Sequence, residues 1–448
     1  MLTGRTAELE YLKGYYEKGG SCLLILYGQK YIGKTAILRE FTRGKPCHYH
    51  MARACSEKEQ LEQLQSLEEW EEDASGDKQI VIVEEFQRII RSGKAAAEAL
   101  FGLYGGCGWA KERLVIFVSS SISWVENSLV SKIGKEGRKI SDVFKIKELE
   151  FRYLHEFFPS YSVRQCMEVY AMLGGAVGWW RCFFSGSSVK ENVCRTMLEE
   201  SGSLRQAAEN LASEELREPA VYNTILAALA SGKEKLNELY LHTGFSRAKL
   251  SVYLGNLIEM NLVEKVFSVE KTVPSESSGR EGKGDRNGAR KGIYRISSSL
   301  VKFYYTYLYG GADKLFRMSP ERYYNTYILP DRDRYMQDAF RKICMQHTEA
   351  QMKSGRLPVK AERIGSWFGK TGNIDIVVQD GEGKTLLGLC RVSRMGMDYE
   401  AYRKLLETAG KAGFRTDYIW LYAELFDERI VRAAEESGNL TLISIREL

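Results

Sequence analysis

The apolar stretch Cys22-Leu23-Leu24-Ile25-Leu26-Tyr27 runs directly into Gly28-Gln29-Lys30-Tyr31-Ile32-Gly33-Lys34-Thr35, and a helical pattern, Ala36-Ile37-Leu38-Arg39-Glu40-Phe41, follows at once. Strand, glycine-bounded loop ending in Lys-Thr, and helix is the phosphate-binding loop in the context it requires. A strand apolar at every position is read as buried on both faces, which a parallel sheet between helices provides. The residue types suit one chemistry. Gly28 and Gly33 allow the backbone N–H groups of Gln29, Lys30, Tyr31 and Ile32 to close around phosphate oxygens, and the helix entered through Lys34, Thr35 and Ala36 turns its positive end toward them. Lys34 is placed to reach the β and γ phosphates and the Thr35 hydroxyl to ligate Mg²⁺, so the loop implies ATP or GTP.

Three further apolar runs extend this pattern. Cys47-His48-Tyr49-His50-Met51 reads as a second strand; His48 and His50 share one of its faces, as a metal pair or, with greater weight, as packing residues. Ile80-Val81-Ile82-Val83 ends in Glu84-Glu85. Glu84 stands where an Asp usually holds the Mg²⁺ shell, one methylene longer, and Glu85 where a carboxylate polarises the attacking water. Leu114 to Val118 ends in Ser119-Ser120-Ser121, and Ser120 offers a hydroxyl for sensing the terminal phosphate or, equally, for forming a turn. Gly137-Arg138-Lys139 precedes a strand from Val143, and Arg138 is either a charge stabiliser at the phosphates or a solvated arginine. Before the loop strand, Thr6 is expected to cap a helix carrying Leu9, Leu12 and Tyr16.

At 448 residues the chain is long enough for about three domains. Its 64 basic and 59 acidic residues leave a net charge of +5, which chooses neither a nucleic-acid nor a protein partner. Nine scattered cysteines with no C-x-x-C pair argue against a disulfide framework or zinc ribbon. With no leader pattern and no apolar run near the roughly 18 residues of a membrane span, a cytoplasmic protein is expected.

The opening Gly4-Arg5 with Glu8-Leu9, the loop, Glu85-Phe86-Gln87, the Ser119-Ser120 strand end, Gly137-Arg138 and Gly174-Gly175 before an aromatic pair resemble the archaeal and bacterial AAA-type ATPases related to the STAND NTPases. The resemblance implies ATP with Mg²⁺, an α/β P-loop NTPase core (parallel sheet, helices on both faces) over residues 1–147, a helical lid over 148–212, and self-association. Gly174 to Trp180 departs from the family, which tends to place a proline and a single aromatic there.

Residues 213–309 read as short helices and two strands. Leu236 to Tyr240, the turn Thr243-Gly244-Phe245-Ser246 and Arg247 to Ile258 follow helix-turn-helix grammar. Leu262 to Val266 and Ile293 to Ile296 resemble the strands of a winged-helix domain, with a flexible wing over 270–292 that carries Arg280, Arg286, Arg290 and Lys291. Two roles stay open for it: duplex DNA binding through Arg247 and Lys249, or packing against protein.

Residues 310–448 resemble the restriction-nuclease-like α/β domain that accompanies this ATPase family. Asp375 matches its strand acid, but Leu389 falls at the Glu position, Arg391 at the Lys position and Arg341 at that of the helix acid. One carboxylate does not make the metal clamp that phosphodiester cleavage needs, so a degenerate, inactive domain is expected. The leading expectation is an ATP-driven molecular switch with a partner; the competing one is a nucleotide-stabilised DNA-binding regulator with little turnover.

Overall fold

Every residue of Cys22–Tyr27 (β1) is buried. Leu23, Ile25 and Tyr27 pack with Phe86, Ile89, Leu100, Phe101 and Trp124 in one cluster. Cys22, Leu24 and Leu26, pointing the other way, are equally enclosed, so both faces of the strand are covered. The strand sits in a sheet with Cys47–Met51 (β2), Gln79–Glu84 (β3), Arg113–Ser119 (β4) and Asp142–Lys145 (β5), in the order β2-β3-β4-β1-β5 and parallel throughout. The helix Thr6–Glu17 (α1) leads into β1, and Lys34–Phe41 (α2) follows the loop. This is a P-loop NTPase core. Thr6 is the first residue of α1; Arg5 occupies the N-cap position and no side chain caps it.

The structure is a computed structural model describing residues 2–68, 78–105, 112–213, 218–269 and 292–448. The chain divides into two units: Met1–Leu149, Gly175–Arg181 and Gly255–Leu262 form the first, and Glu150–Gly174, Cys182–Leu254 and Val263–Leu448 the second. Gly175–Arg181, within the stretch expected to form a lid, thus belongs with the phosphate loop.

The second unit holds helices Pro219–Ala230 and Leu236–Thr243 and an antiparallel pair, Val263–Phe267 (β6) with Gly292–Ile296 (β7). The helix Arg247–Glu259 precedes that pair. The wing residues Arg280, Arg286, Arg290 and Lys291 lie outside the described residues.

Farther on, Arg363–Gly369 (β8), Gly372–Gln379 (β9), Thr385–Cys390 (β10), Tyr418–Ala423 (β11) and Leu440–Ser444 (β12) form a mixed sheet ordered β12-β11-β10-β9-β8. β8, β9 and β10 are antiparallel neighbours, and β10, β11 and β12 parallel ones. Helix Tyr399–Ala412 covers one face through Leu405 and Ala409, packed with Val377, Leu389 and Leu421. Helix Arg332–Lys353 covers the other, where its Thr348 meets the Tyr422 hydroxyl at 3.0 Å. Among the described residues no helix is long and apolar enough to cross a membrane.

Candidate functional site

The parallel sheet places the C-terminal ends of β1, β3 and β4 side by side, and the candidate site is built on that edge. The Gly28 N–H donates to Ser119 O at 3.2 Å, joining the loop to the end of β4, where Ser120 follows. A Cβ on Gly28 would stand 2.4 Å from the Ile146 carbonyl oxygen, so backbone passes where no other residue fits. Gly33 takes φ +98°, the left-handed turn that starts α2.

Two non-glycine residues at this edge also hold positive φ, Tyr31 at 66° and Glu85 at 58°. Such conformers cost about 1–3 kcal/mol each and persist where the surroundings enforce them. At Tyr31 the enforcement is visible. Its carbonyl accepts the Gly178 N–H at 2.8 Å, and its ring lies 3.7 Å from that of Trp179. Next door, Arg5 Nη2 donates to Ile32 O at 2.7 Å while Nη1 donates to Lys147 O at 2.9 Å and to Glu8 Oε1 at 2.7 Å. Gly4-Arg5, Glu8 and Gly174-Gly175, noted in the sequence only as marks of resemblance, thus introduce segments that clamp the loop from two sides.

Lys34 is 5% exposed, and its Nζ donates to Gly28 O at 2.8 Å and Gln29 O at 2.7 Å. Burial pulls its pKa down to about 8, against the opposing fields of Glu85 and Glu84. The Thr35 hydroxyl donates to Glu84 Oε1 at 2.9 Å and Oε2 at 3.2 Å, so an alcohol and a carboxylate share one spot beneath the loop. Hard oxygen donors of this kind fit Mg²⁺. Glu85 Oε2 accepts from Gln87 Nε2 at 2.6 Å, which orients the carboxylate.

The structure therefore brings together Gly28 to Ala36, Glu84, Glu85 and the Ser119-Ser120 strand end. Arg138 is not among them. It is exposed on the turn Gly134–Lys139, ahead of β5. Because β5 runs parallel to β1 and the Ser141 N–H already bonds Leu23 O at 2.8 Å, Arg138 lies beyond the opposite end of the strands. Four strand residues, roughly 13 Å, separate Leu23 from Tyr27 at the loop. Among the described residues no group of three or more His, Cys, Asp or Glu is arranged to hold a metal ion. Burial, and then Arg113, lower the His48 pKa to about 4.

In the C-terminal sheet, Asp375 accepts from Arg341 Nε at 2.9 Å, from the Cys390 N–H at 2.9 Å and from Arg391 Nη1 at 3.4 Å. Leu389 turns into the cluster under Tyr399–Ala412, while the Asp375 carboxylate meets Arg341 of the helix Arg332–Lys353 and the Cys390 N–H. Asp338, one turn before Arg341, is a second carboxylate that the sequence reading missed; it pairs with Arg341 Nη1 at 2.5 Å and with Lys302. Burial alone would raise its pKa, but Lys302 and Arg341 hold it at about 2. Its i,i+3 spacing from Arg341 was the available signal. Both carboxylates are thus taken up by cationic side chains.

The first unit defines a P-loop NTPase core with its loop, lysine, threonine and strand-end acids assembled. Residues 304–399 match a family described as archaeal and bacterial proteins of unknown function. An uncharacterized protein of Methanocaldococcus jannaschii, MJECL04, is 25% identical over 402 residues, 86% of each chain. The Walker-type ATPase of Pyrococcus abyssi is similar in structure over 68% of this chain and 96% of its own, with 17% identity and a TM-score of 0.47. The ORC2 protein of Aeropyrum pernix is similar over 70% of this chain and 94% of its own, at 15% identity and a TM-score of 0.42.

Proposed function

We propose that this chain binds ATP with Mg²⁺ at the loop Gly28 to Thr35 and hydrolyses it as an AAA/STAND-type molecular switch in the cytoplasm. One observation carries this reading: Lys34, the Thr35–Glu84 pair and Glu85 meet at the sheet edge where the loop closes. The N–H groups from Gln29 to Ala36 and the Lys34 ammonium bind the phosphates, Ser120 faces the terminal phosphate, and Thr35 and Glu84 hold the metal. Bound Mg²⁺ supplies neutralisation of the phosphate charge. Glu85, oriented by Gln87, takes a proton from the attacking water. Adenine rather than guanine rests on the family resemblance, as do the lid and self-association.

The helices Pro219–Ala230, Leu236–Thr243 and Arg247–Glu259 with β6 and β7 are proposed to form a winged helix facing a protein rather than duplex DNA. Arg247 and Lys249 lie over the rings of Tyr240 and Phe245, and Leu241 and Val252 are 72% and 61% exposed on the same helices. The C-terminal domain is proposed to be an inactive nuclease fold, its carboxylates neutralised by Arg341, Arg391 and Lys302.

The test is titration of a fluorescent ATP analogue into the full chain with Mg²⁺, followed by steady-state hydrolysis with and without duplex DNA. Lys34→Ala is expected to abolish binding, and Glu85→Gln to keep binding while lowering turnover at least about a hundredfold. Unchanged affinity in Lys34→Ala refutes the site, and salt-sensitive stimulation by DNA that is lost in Arg247→Ala/Lys249→Ala replaces the protein partner with DNA.

A further inference from the structure

Glu84 is one methylene longer than the aspartate usual at its position, which adds a rotatable bond to a side chain whose task is to present oxygen at a defined place. A longer carboxylate needs more restraint to do so. The restraint comes from two directions. Thr35 donates from the loop, and from β2 the Tyr49 hydroxyl donates to Glu84 Oε2 at 2.5 Å. Tyr49 stands beside Ile82 in the β2–β3 register, two residues short of the Met51–Glu84 pair, so its side chain reaches along β3 to the carboxylate. Tyr49 is 46% exposed on the edge strand of the sheet, so burial is not what a tyrosine chiefly supplies here; the hydroxyl is.

We infer that Tyr49 is a positioning residue of the divalent-metal half of the site, anchoring Glu84 so that its remaining lone pairs face Thr35. The inference rests on the nucleotide–metal reading of the loop. A carboxylate accepts at two oxygens with about four lone-pair directions, so one tyrosine hydrogen bond fixes its orientation without exhausting it. Outer partners of this kind set ligand orientation, and their loss typically weakens metal binding about 10–100-fold. Tyr49 touches no phosphate in this scheme, so its removal acts on the metal alone.

The experiment measures affinity of the full chain for a fluorescent ADP analogue in EDTA and then along a Mg²⁺ titration, for wild type, Tyr49→Phe, Glu84→Asp and the double variant. Tyr49→Phe is expected to match wild type in EDTA and in thermal midpoint, while its half-saturating Mg²⁺ concentration rises about tenfold. In the Glu84→Asp background, whose shorter carboxylate withdraws from the Tyr49 hydroxyl, the same substitution is expected to change the Mg²⁺ requirement less than twofold. A Tyr49→Phe curve superimposed on a Mg²⁺-dependent wild-type curve overturns the role of Tyr49 alone. A weakening already present in EDTA overturns it too, because it would be a general effect on the loop. Wild-type affinity indifferent to Mg²⁺ overturns the metal reading of Thr35 and Glu84, and with it the inference.

Discussion

Raising the pH from 7.5 to 9 is expected to weaken nucleotide binding about eightfold, through one lysine. Lys34 is buried, and its charge is desolvated more than Glu85 and Glu84 restore, which brings its pKa to about 8. An ordinary lysine, near 10.4, keeps roughly 96% of its charge at pH 9, whereas a group at about 8 keeps roughly a tenth. The sign follows from the direction of the shift. The phosphates need the ammonium form, so above pH 8 the free protein must take up a proton to bind, and affinity falls as pH rises. Relative to the fully charged lysine, the apparent dissociation constant is about twofold higher at pH 8 and about elevenfold higher at pH 9, the latter close to 1.4 kcal/mol. Phosphate ionisation near pH 6 is complete across this window. Anisotropy of a labelled ATP measures the curve, with circular dichroism as the check that the fold survives at pH 9. Lys34→Arg, whose guanidinium stays charged, is expected to bind more weakly but with no slope over the same range. A flat wild-type curve up to pH 9, or an equal slope in Lys34→Arg, removes Lys34 as the titrating group and with it the argument from burial.

Two other substitutions probe the supports of the fold and the site. Trp179→Ala removes the ring whose centroid lies 3.7 Å from that of Tyr31 and is expected to cost the loop about 1 kcal/mol of ordering, a roughly fivefold loss of nucleotide affinity in the same titration; an unchanged constant shows that the backbone bond from Gly178 suffices. Asp375→Ala strips the counter-charge from Arg341 and Arg391 and is expected to lower stability toward urea by about 2 kcal/mol, less than for a fully buried pair because water reaches both arginines, while nucleotide affinity stays put. An unaltered urea profile would mean that Asp338 and Lys302 alone organise that cluster.

The phosphate loop and its sheet were legible because everything that marks them is local. Gly28, Gly33, Lys34 and Thr35 lie within one turn of chain, and the uninterrupted apolar runs of β1, β3 and β4 announce strands covered on both faces. Glu84 and Glu85 were legible for the same reason, as the end of an apolar strand. Arg138 misled because spacing along the chain does not say which end of a parallel sheet a residue occupies; the β1–β5 register does, and it sends Arg138 away from the loop.

What the linear order of residues settled, then, is the chemistry on offer: a phosphate-binding loop, two strand-end acids and, farther on, the residues Asp375, Arg341 and Arg391. Which groups meet was settled by folding. Tyr49 reaches Glu84 across 35 residues, Arg5 bonds both Ile32 and Lys147, the Trp179 ring packs against that of Tyr31, and Asp375 gathers Arg341 and Arg391. Each of those contacts depends on strand register and crossover packing, which sum many weak apolar interactions across the whole unit and leave no trace in any short window of sequence.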